Sequence, residues 1–211
     1  VSGGAVDVLR RFDPQEISRR CVRATSFDAV PTVMAQLLEH GDLDLLGRLR
    51  WVMFASEPMP PALLDRWWET LPTVETHQFY GMTEALTITY ASHELLRQDN
   101  TCVGRPFPTS AVEILAADGA PVPMGESGEV VCTTPSRMRS YFGNPEATEA
   151  ALTADGGMRT GDLGVFDEAG RLHLTGRLKD IIISGGLNIA PAEIEAAACR
   201  HPDVAAAAVV G

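Results

Sequence analysis

The sequence predicts an α/β fold in three parts. The first is an α/β part over residues 1–105. A small β subdomain of hairpins follows over 106–178, and then a third, incomplete unit over 179–211. Three observations carry this. Up to about residue 105, helix-period apolar segments alternate with short continuous apolar runs. From Pro106 to Thr175 the period drops to two and turn residues multiply. After Gly176 come an isoleucine run, a Ser-Gly-Gly turn and a second helical pattern.

Pro14 to Arg23 reads as a helix with proline in its first turn and Ile17 facing inward near Cys21. Ser26 to Val30 is short and apolar-leaning, and Pro31 interrupts it. Thr32 to His40 is a second helix, with Val33/Leu37 and Met34/Leu38 spaced four apart and Gly41 closing it. Trp51 to Ala55 has the continuous apolar character of a strand covered on both faces. Pro60 and Pro61 open a helix carrying Leu63, Leu64, Trp67 and Trp68, and Val74 to Tyr80 leads into a loop over Gly81 to Ala85. Hairpins follow around Val112/Ile114, Val130/Cys132 and Leu172/Leu174, separated by Asp118-Gly119, Gly125, Gly128 and Asp167 to Gly170. Ile181 to Ile183 reads as a buried strand, Ser184 to Gly186 as a turn, Pro191 to Arg200 as an amphipathic helix and Val204 to Val210 as a further strand. The start at Val1 and the strand-like run before Gly211 read as marks of a fragment of a longer protein.

Composition narrows the function. The formal net charge is −11, which argues against a nucleic-acid surface while leaving room for one nucleotide held by local dipoles and cations. The longest apolar stretch, Val204 to Val210, is far too short to span a bilayer. Cys21, Cys102, Cys132 and Cys199 are widely spaced, with no CxxC pair, and fit a reducing cytoplasm. The five histidines lack metal-ligand spacing, and His173, alternating with Leu172 and Leu174, is expected to point away from the apolar face of its hairpin.

Three stretches carry candidate chemistry. Tyr80 to Glu84 reads YGMTE: a flat ring for a base, a glycine for close backbone approach, a hydroxyl donor, and a carboxylate of the kind that holds Mg²⁺ beside phosphates. An ordinary strand-to-helix loop is the alternative. Thr160 to Asp162 reads TGD, whose carboxylate can accept from the vicinal hydroxyls of a ribose; a solvated turn aspartate is the alternative. In GRLKDIIISGGLN, from Gly176 to Asn188, Arg177 can donate to ribose or phosphate oxygens or form a surface ion pair, and Gly185 and Gly186 permit a tight turn or a close ligand.

The ordered set of YGMTE, Gly128-Glu129, YFGNPEAT at Tyr141 to Thr148, TGD and GRLKDIIISGGLNIAPAEIE resembles the adenylate-forming superfamily of acyl-CoA synthetases, aryl-CoA ligases and nonribosomal-peptide adenylation domains, across essentially the whole chain. The resemblance implies an AMP-forming acid–thiol ligase whose α/β fold here comprises a partial large N-terminal domain, made of an α/β sheet portion and a small β-barrel-like subdomain, followed by the start of a small α+β C-terminal domain. A fatty or aryl carboxylate would attack the α-phosphate of ATP, and the acyl-AMP would pass its acyl group to coenzyme A, or in related proteins to a carrier protein. It implies Thr83 and Glu84 as catalytic residues, Thr83 on the α-phosphate and Glu84 on Mg²⁺. The nucleotide set is Ser56, Glu57, Tyr80, Gly81, Thr83, Asp162 and Arg177, with Tyr80 along the adenine and Asp162 on the ribose. Lys179 takes the hinge position, and Gly185 and Gly186 border the coenzyme A tunnel. A non-catalytic AMP-binding or interaction module is the competing reading.

The sequence departs from the family in three places. Ala55-Ser56-Glu57-Pro58 stands where the family carries a glycine-containing stretch ahead of the adenine pocket. No Ser/Thr/Gly-rich phosphate loop with its lysine precedes Tyr80. The C-terminal catalytic lysine is missing too, Lys179 being the single lysine in the chain. Without those groups the chain by itself is expected to be nearly inactive. The candidate acyl-pocket residues Phe27, Val30, Phe79, Met82, Leu86 and Ile88 are apolar and include no acid to pair with an amino group, which favours a fatty or aryl acid over an amino acid.

Overall fold

A computed structural model describes residues 5–184, 187–199, 201, 204 and 207–211. They fall into two units, Val1–Gln78 with Ser92–Thr101, and Phe79–Ala91 with Cys102–Gly211.

In the first unit three helices start where proline pre-sets the backbone angle and gives up a donor the first turn does not need. Helix α1 (Pro14–Cys21) is capped by the Asp13 carboxylate, which accepts from Gln15 N at 3.0 Å and Glu16 N at 3.1 Å. After strand β1 (Ser26–Ala29), α2 (Pro31–His40) ends at Gly41, where a Cβ would lie 2.5 Å from the Leu37 carbonyl oxygen. A short helix α3 (Leu43–Leu46) precedes β2 (Trp51–Phe54), and α4 (Pro61–Thr70) precedes β3 (Glu75–Met82). Strand β1 pairs in parallel with β2, as Ser26 opposite Trp51, and β2 pairs in parallel with β3, as Trp51 opposite Glu75. Helix α1 packs on α2 and α3, and α2 on α4. Their core is Met34, Leu37, Leu46, Val52, Phe54, Leu64, Trp67 and Val74, all essentially inaccessible. Strand β2 is not sealed on both faces as its sequence suggests. Val52 and Phe54 are buried, while Trp51 and Met53 are half-buried, with Trp51 edge-on to His77 at 5.9 Å.

Strand β3 passes into the second unit at Phe79. Gly81 and Met82 are strand residues, so the connection expected over Gly81 to Ala85 shrinks to a three-residue turn before β4 (Leu86–Ala91). The close approach explains the glycine: a Cβ on Gly81 would lie 1.9 Å from the Leu86 carbonyl oxygen. After the first unit's α5 (His93–Gln98), β5 (Arg105–Pro106) pairs antiparallel with β4. Strands β6 (Ala111–Leu115), β7 (Gly128–Thr133), β8 (Met158–Phe166) and β9 (Leu172–Arg177) form an antiparallel sheet in that order. Among the described residues this sheet is open, with β6 and β9 at its edges, and does not close into a barrel. Helix α6 (Pro145–Ala150) lies between β7 and β8. Tyr80, Ala85, Ile88, Val103, Ile114, Val130, Cys132, Met158 and Leu172 form the core of this unit.

A 3₁₀ turn (Leu178–Asp180) leads to an antiparallel pair, β10 (Ile182–Ser184) and β11 (Leu187–Ile189), then to α7 (Pro191–Ala198). Ile181 and Ile182 are half-buried rather than core, because β10 has one strand for a neighbour. The described residues of 204–210 form no strand, since none of them enters a ladder. Gly185 and Gly186 lie outside the described residues.

Candidate functional site

The second unit joins residues that are far apart in sequence. The Tyr80 hydroxyl donates to Asp162 Oδ2 at 2.7 Å across 82 positions. Arg177 Nε lies 2.8 Å from Asp162 Oδ1. The sheet register explains the second contact, since Asp162 on β8 and Arg177 on β9 are directly opposed. Asp162 is therefore a buried strand residue, 8% exposed, and not a solvated turn aspartate. The glycine before it adopts φ of +71°, and the register between β8 and β9 slips just after it, between Leu163 and Gly164. Such irregularities re-aim side chains that a regular pleat would send across the sheet. Thr160 braces the bend, donating to the Val130 carbonyl at 2.7 Å and accepting from Asp162 N at 3.0 Å.

Burial, and after it the Asp162 carboxylate, push the Tyr80 phenol well above its ordinary range. Tyr80 is thus a neutral donor at every physiological pH. Asp162 lies between a neutral phenol and a guanidinium. Its two oxygens have further lone pairs, so it can accept from ligand hydroxyls as well.

Thr83 is exposed on the turn after β3, and Glu84 is half-buried beside it. Glu84 Oε1 accepts from the Tyr141 hydroxyl at 2.8 Å, and the Glu84 backbone carbonyl accepts from Met138 N at 2.7 Å. The hydrogen bond to Glu84 raises the Tyr141 phenol above its usual value. A lone hard-oxygen carboxylate with a second oxygen turned to other work suits Mg²⁺, which takes one or two carboxylates and completes its shell with phosphates and water. Lys179, in the 3₁₀ turn just past Arg177, is exposed.

Two tethers have no counterpart in the sequence reading, where their segments are only motif markers. One is Tyr141 on Glu84. The other is Glu129, buried at 8%, which pairs with Arg159 and accepts from Gly161 N at 3.3 Å, bracing the bend within β8 that presents Asp162. A buried-type position holding Glu next to an apolar strand run was the available signal for the second.

Ser56 and Glu57 belong to the first unit. Glu57 accepts from Thr32 N at 3.2 Å and Thr32 Oγ1 at 2.7 Å. It thereby caps α2, whose own N-cap residue, Val30, has no polar side chain to do so. Ser56 has φ of +73°, the left-handed region that favours glycine. Among the candidate acyl-pocket residues, Ile88 is fully buried core, Leu86 is 62% exposed, and Phe79 meets Tyr90 in a tilted ring contact with centres 5.0 Å apart. Phe27 and Val30 are half-buried in the first unit. No helix among the described residues is long and apolar enough to cross a membrane.

A family model described as AMP-binding enzyme matches residues 1–142, and the chain belongs to that family. Within it, the sulfoacetate–CoA ligase of Cupriavidus necator is 37% identical over the whole of this chain and 42% of its own length. Feruloyl-CoA synthase of an Amycolatopsis species is 35% identical over the whole chain and 43% of its own length. Among solved structures, the amide bond synthetase McbA of Marinactinospora thermotolerans superposes with a TM-score of 0.88 at 39% identity, covering 96% of this chain and 43% of that one. The o-succinylbenzoate CoA synthetase of Bacillus subtilis, in complex with its acyl-adenylate intermediate, gives 0.82 at 34% identity, covering 95% and 41%. The chain thus spans about two-fifths of the length of the relatives it matches.

Proposed function

We propose that this chain forms part of an AMP-forming ligase that activates a fatty or aryl carboxylic acid with ATP and passes the acyl group to coenzyme A. The observation that carries the reading is the convergence of Tyr80, Asp162 and Arg177 in a chain of the AMP-binding enzyme family. Asp162 accepts the ribose hydroxyls, Arg177 donates to the ribose, and Tyr80 both orients Asp162 and offers its ring to the base. Thr83 donates to the α-phosphate. Glu84 would hold Mg²⁺, which supplies charge neutralisation at the phosphates. In the first half-reaction a carboxylate oxygen bonds to the α-phosphorus and the bond to the β-phosphate oxygen breaks, releasing pyrophosphate. In the second, a thiolate attacks the acyl carbon and AMP leaves. Residues of this chain hold the nucleotide in line for attack and donate to developing negative charge, effects that dominate phosphoryl-type chemistry. Lys179 sits at the hinge between the half-reactions.

The experiment is pyrophosphate exchange by the intact protein containing this chain, across a panel of fatty and aryl acids, with thioester formation measured after addition of coenzyme A. Acid-dependent exchange supports the reading. AMP binding without exchange on any acid replaces it with a non-catalytic adenylate-binding module. Likeness to an amide bond synthetase favours a second acceptor class, so an amine is offered beside the thiol. Exchange followed by amide but not thioester moves the acceptor from coenzyme A to an amine.

A further inference from the structure

The segment Tyr141 to Thr148 (YFGNPEAT) has no part in the chemistry proposed above, yet hydrogen bonds cross-brace it. Tyr141 N donates to Thr148 Oγ1 at 3.0 Å, and the Thr148 hydroxyl donates to the Asn144 carbonyl at 2.8 Å. Asn144 Oδ1 caps α6 through Ala147 N at 3.0 Å, and Asn144 N donates back to the Tyr141 carbonyl at 3.3 Å. Pro145 begins the helix and has no N–H that needs an acceptor. The result is a closed seat for one residue, Tyr141. That residue donates its hydroxyl to Glu84 Oε1 at 2.8 Å, while Met138, three residues before the segment, donates its N–H to the Glu84 carbonyl at 2.7 Å.

A glutamate side chain has three rotatable bonds and must lose that freedom before its carboxylate can serve a cation. A donor fixed on one oxygen orients the carboxylate plane and commits the other oxygen outward. Groups that hydrogen-bond a cation's ligand in this way tune both affinity and activity. We infer that Tyr141 is a positioning residue that sets the carboxylate of Glu84 for a divalent cation, and that the Tyr141–Thr148 turn is folded to hold it there. The inference rests on the proposed cation role of Glu84 and deepens it.

The test is calorimetric titration of ATP into the intact protein, with and without Mg²⁺, alongside AMP titration without Mg²⁺. In Tyr141→Phe the gain in ATP affinity conferred by Mg²⁺ is expected to shrink about tenfold, with AMP affinity and Tm nearly unchanged. Thr148→Val moves in the same direction by less, and Thr148→Ser keeps the wild-type gain. Equal weakening of ATP with and without Mg²⁺ in Tyr141→Phe, or an undiminished gain, overturns the inference. Glu84→Gln separates it from the reading beneath it. A Mg²⁺ gain lost in Glu84→Gln but kept in Tyr141→Phe overturns the positioning role only. A gain that survives Glu84→Gln overturns the cation role itself.

Discussion

The two units solve different physical problems. The first is built by apolar packing: parallel strands and helices, with Trp67 and Phe54 fully buried and, among the described residues, buried polar side chains limited to the uncharged Ser18, Thr76 and Gln78. The second buries Glu129 and Asp162, and among the described residues all eight glycines at positive φ lie in it. Burying charge costs stability unless it is paired, and both carboxylates are paired with arginines, whereas glycines adopt positive φ without steric cost. The second unit thus holds paired carboxylates on a glycine-punctuated sheet, while the first rests on apolar packing.

The largest effect should come from the first unit. Trp67→Ala removes a fully buried side chain and should cost about 3–5 kcal/mol in chemical denaturation, with nucleotide affinity of the remaining folded protein unchanged. Asp162→Ala should invert that pattern. Its pair with Arg177 is half exposed and screened, so stability should fall by about 1–2 kcal/mol. AMP affinity in a titration should drop about a hundredfold, through the loss of two charge-assisted hydrogen bonds to the ligand. A stability loss in Asp162→Ala that matches Trp67→Ala, with affinity intact, would erase the distinction.

Backbone strain supplies a smaller and sharper pair. A Cβ on Gly161 meets nothing within 4 Å, so Gly161→Ala isolates the cost of its left-handed backbone, about 1–2 kcal/mol. Ser56, strained in the same sense in the first unit, should respond oppositely, Ser56→Gly gaining about 0.5 kcal/mol in thermal unfolding.

The smallest effect is a pH dependence in the turn after β8. Burial opposes charge on Asp167, but hydrogen bonds from the Arg171 backbone and side chain, and from His173, outweigh it and bring the carboxyl down to about 2. A carboxyl with a lowered folded value contributes stability that is full above its unfolded value near 3.8 and is lost as pH falls toward about 2. Tm measured between pH 5 and pH 2 should therefore fall less steeply in Asp167→Asn than in the wild type.

Local rules made much of the fold legible. The three proline-led helices, the WVMF strand and the shift to hairpins near residue 106 all follow from backbone preference and apolar period. Strand β8 is not legible in the sequence, where TGD allows a turn aspartate: Gly161 carries a left-handed backbone within the strand, and the register slips between Leu163 and Gly164. The alternation of Leu172 and Leu174 was also only half informative: both lie on one face, yet Leu172 is sealed and Leu174 is 38% exposed. For the site, the sequence offers YGMTE, TGD and GRLKD as candidate stretches, and the structure joins Tyr80, Asp162 and Arg177 from them. The seat of Tyr141 is not legible there, since its hydroxyl meets a carboxylate 57 positions away.

The amino-acid order by itself determined the kinds of element, their sequence and the chemical inventory, because backbone preference and apolar periodicity act over a few residues. Tertiary structure decided which partner each polar group meets. Sheet register set Arg177 opposite Asp162, chain reversal brought Tyr80 to the other carboxylate oxygen, and the packed turn aimed Tyr141 at Glu84. A hydrogen bond forms over about 3 Å in space whatever the separation along the chain, so these pairings exist only once the chain has closed on itself.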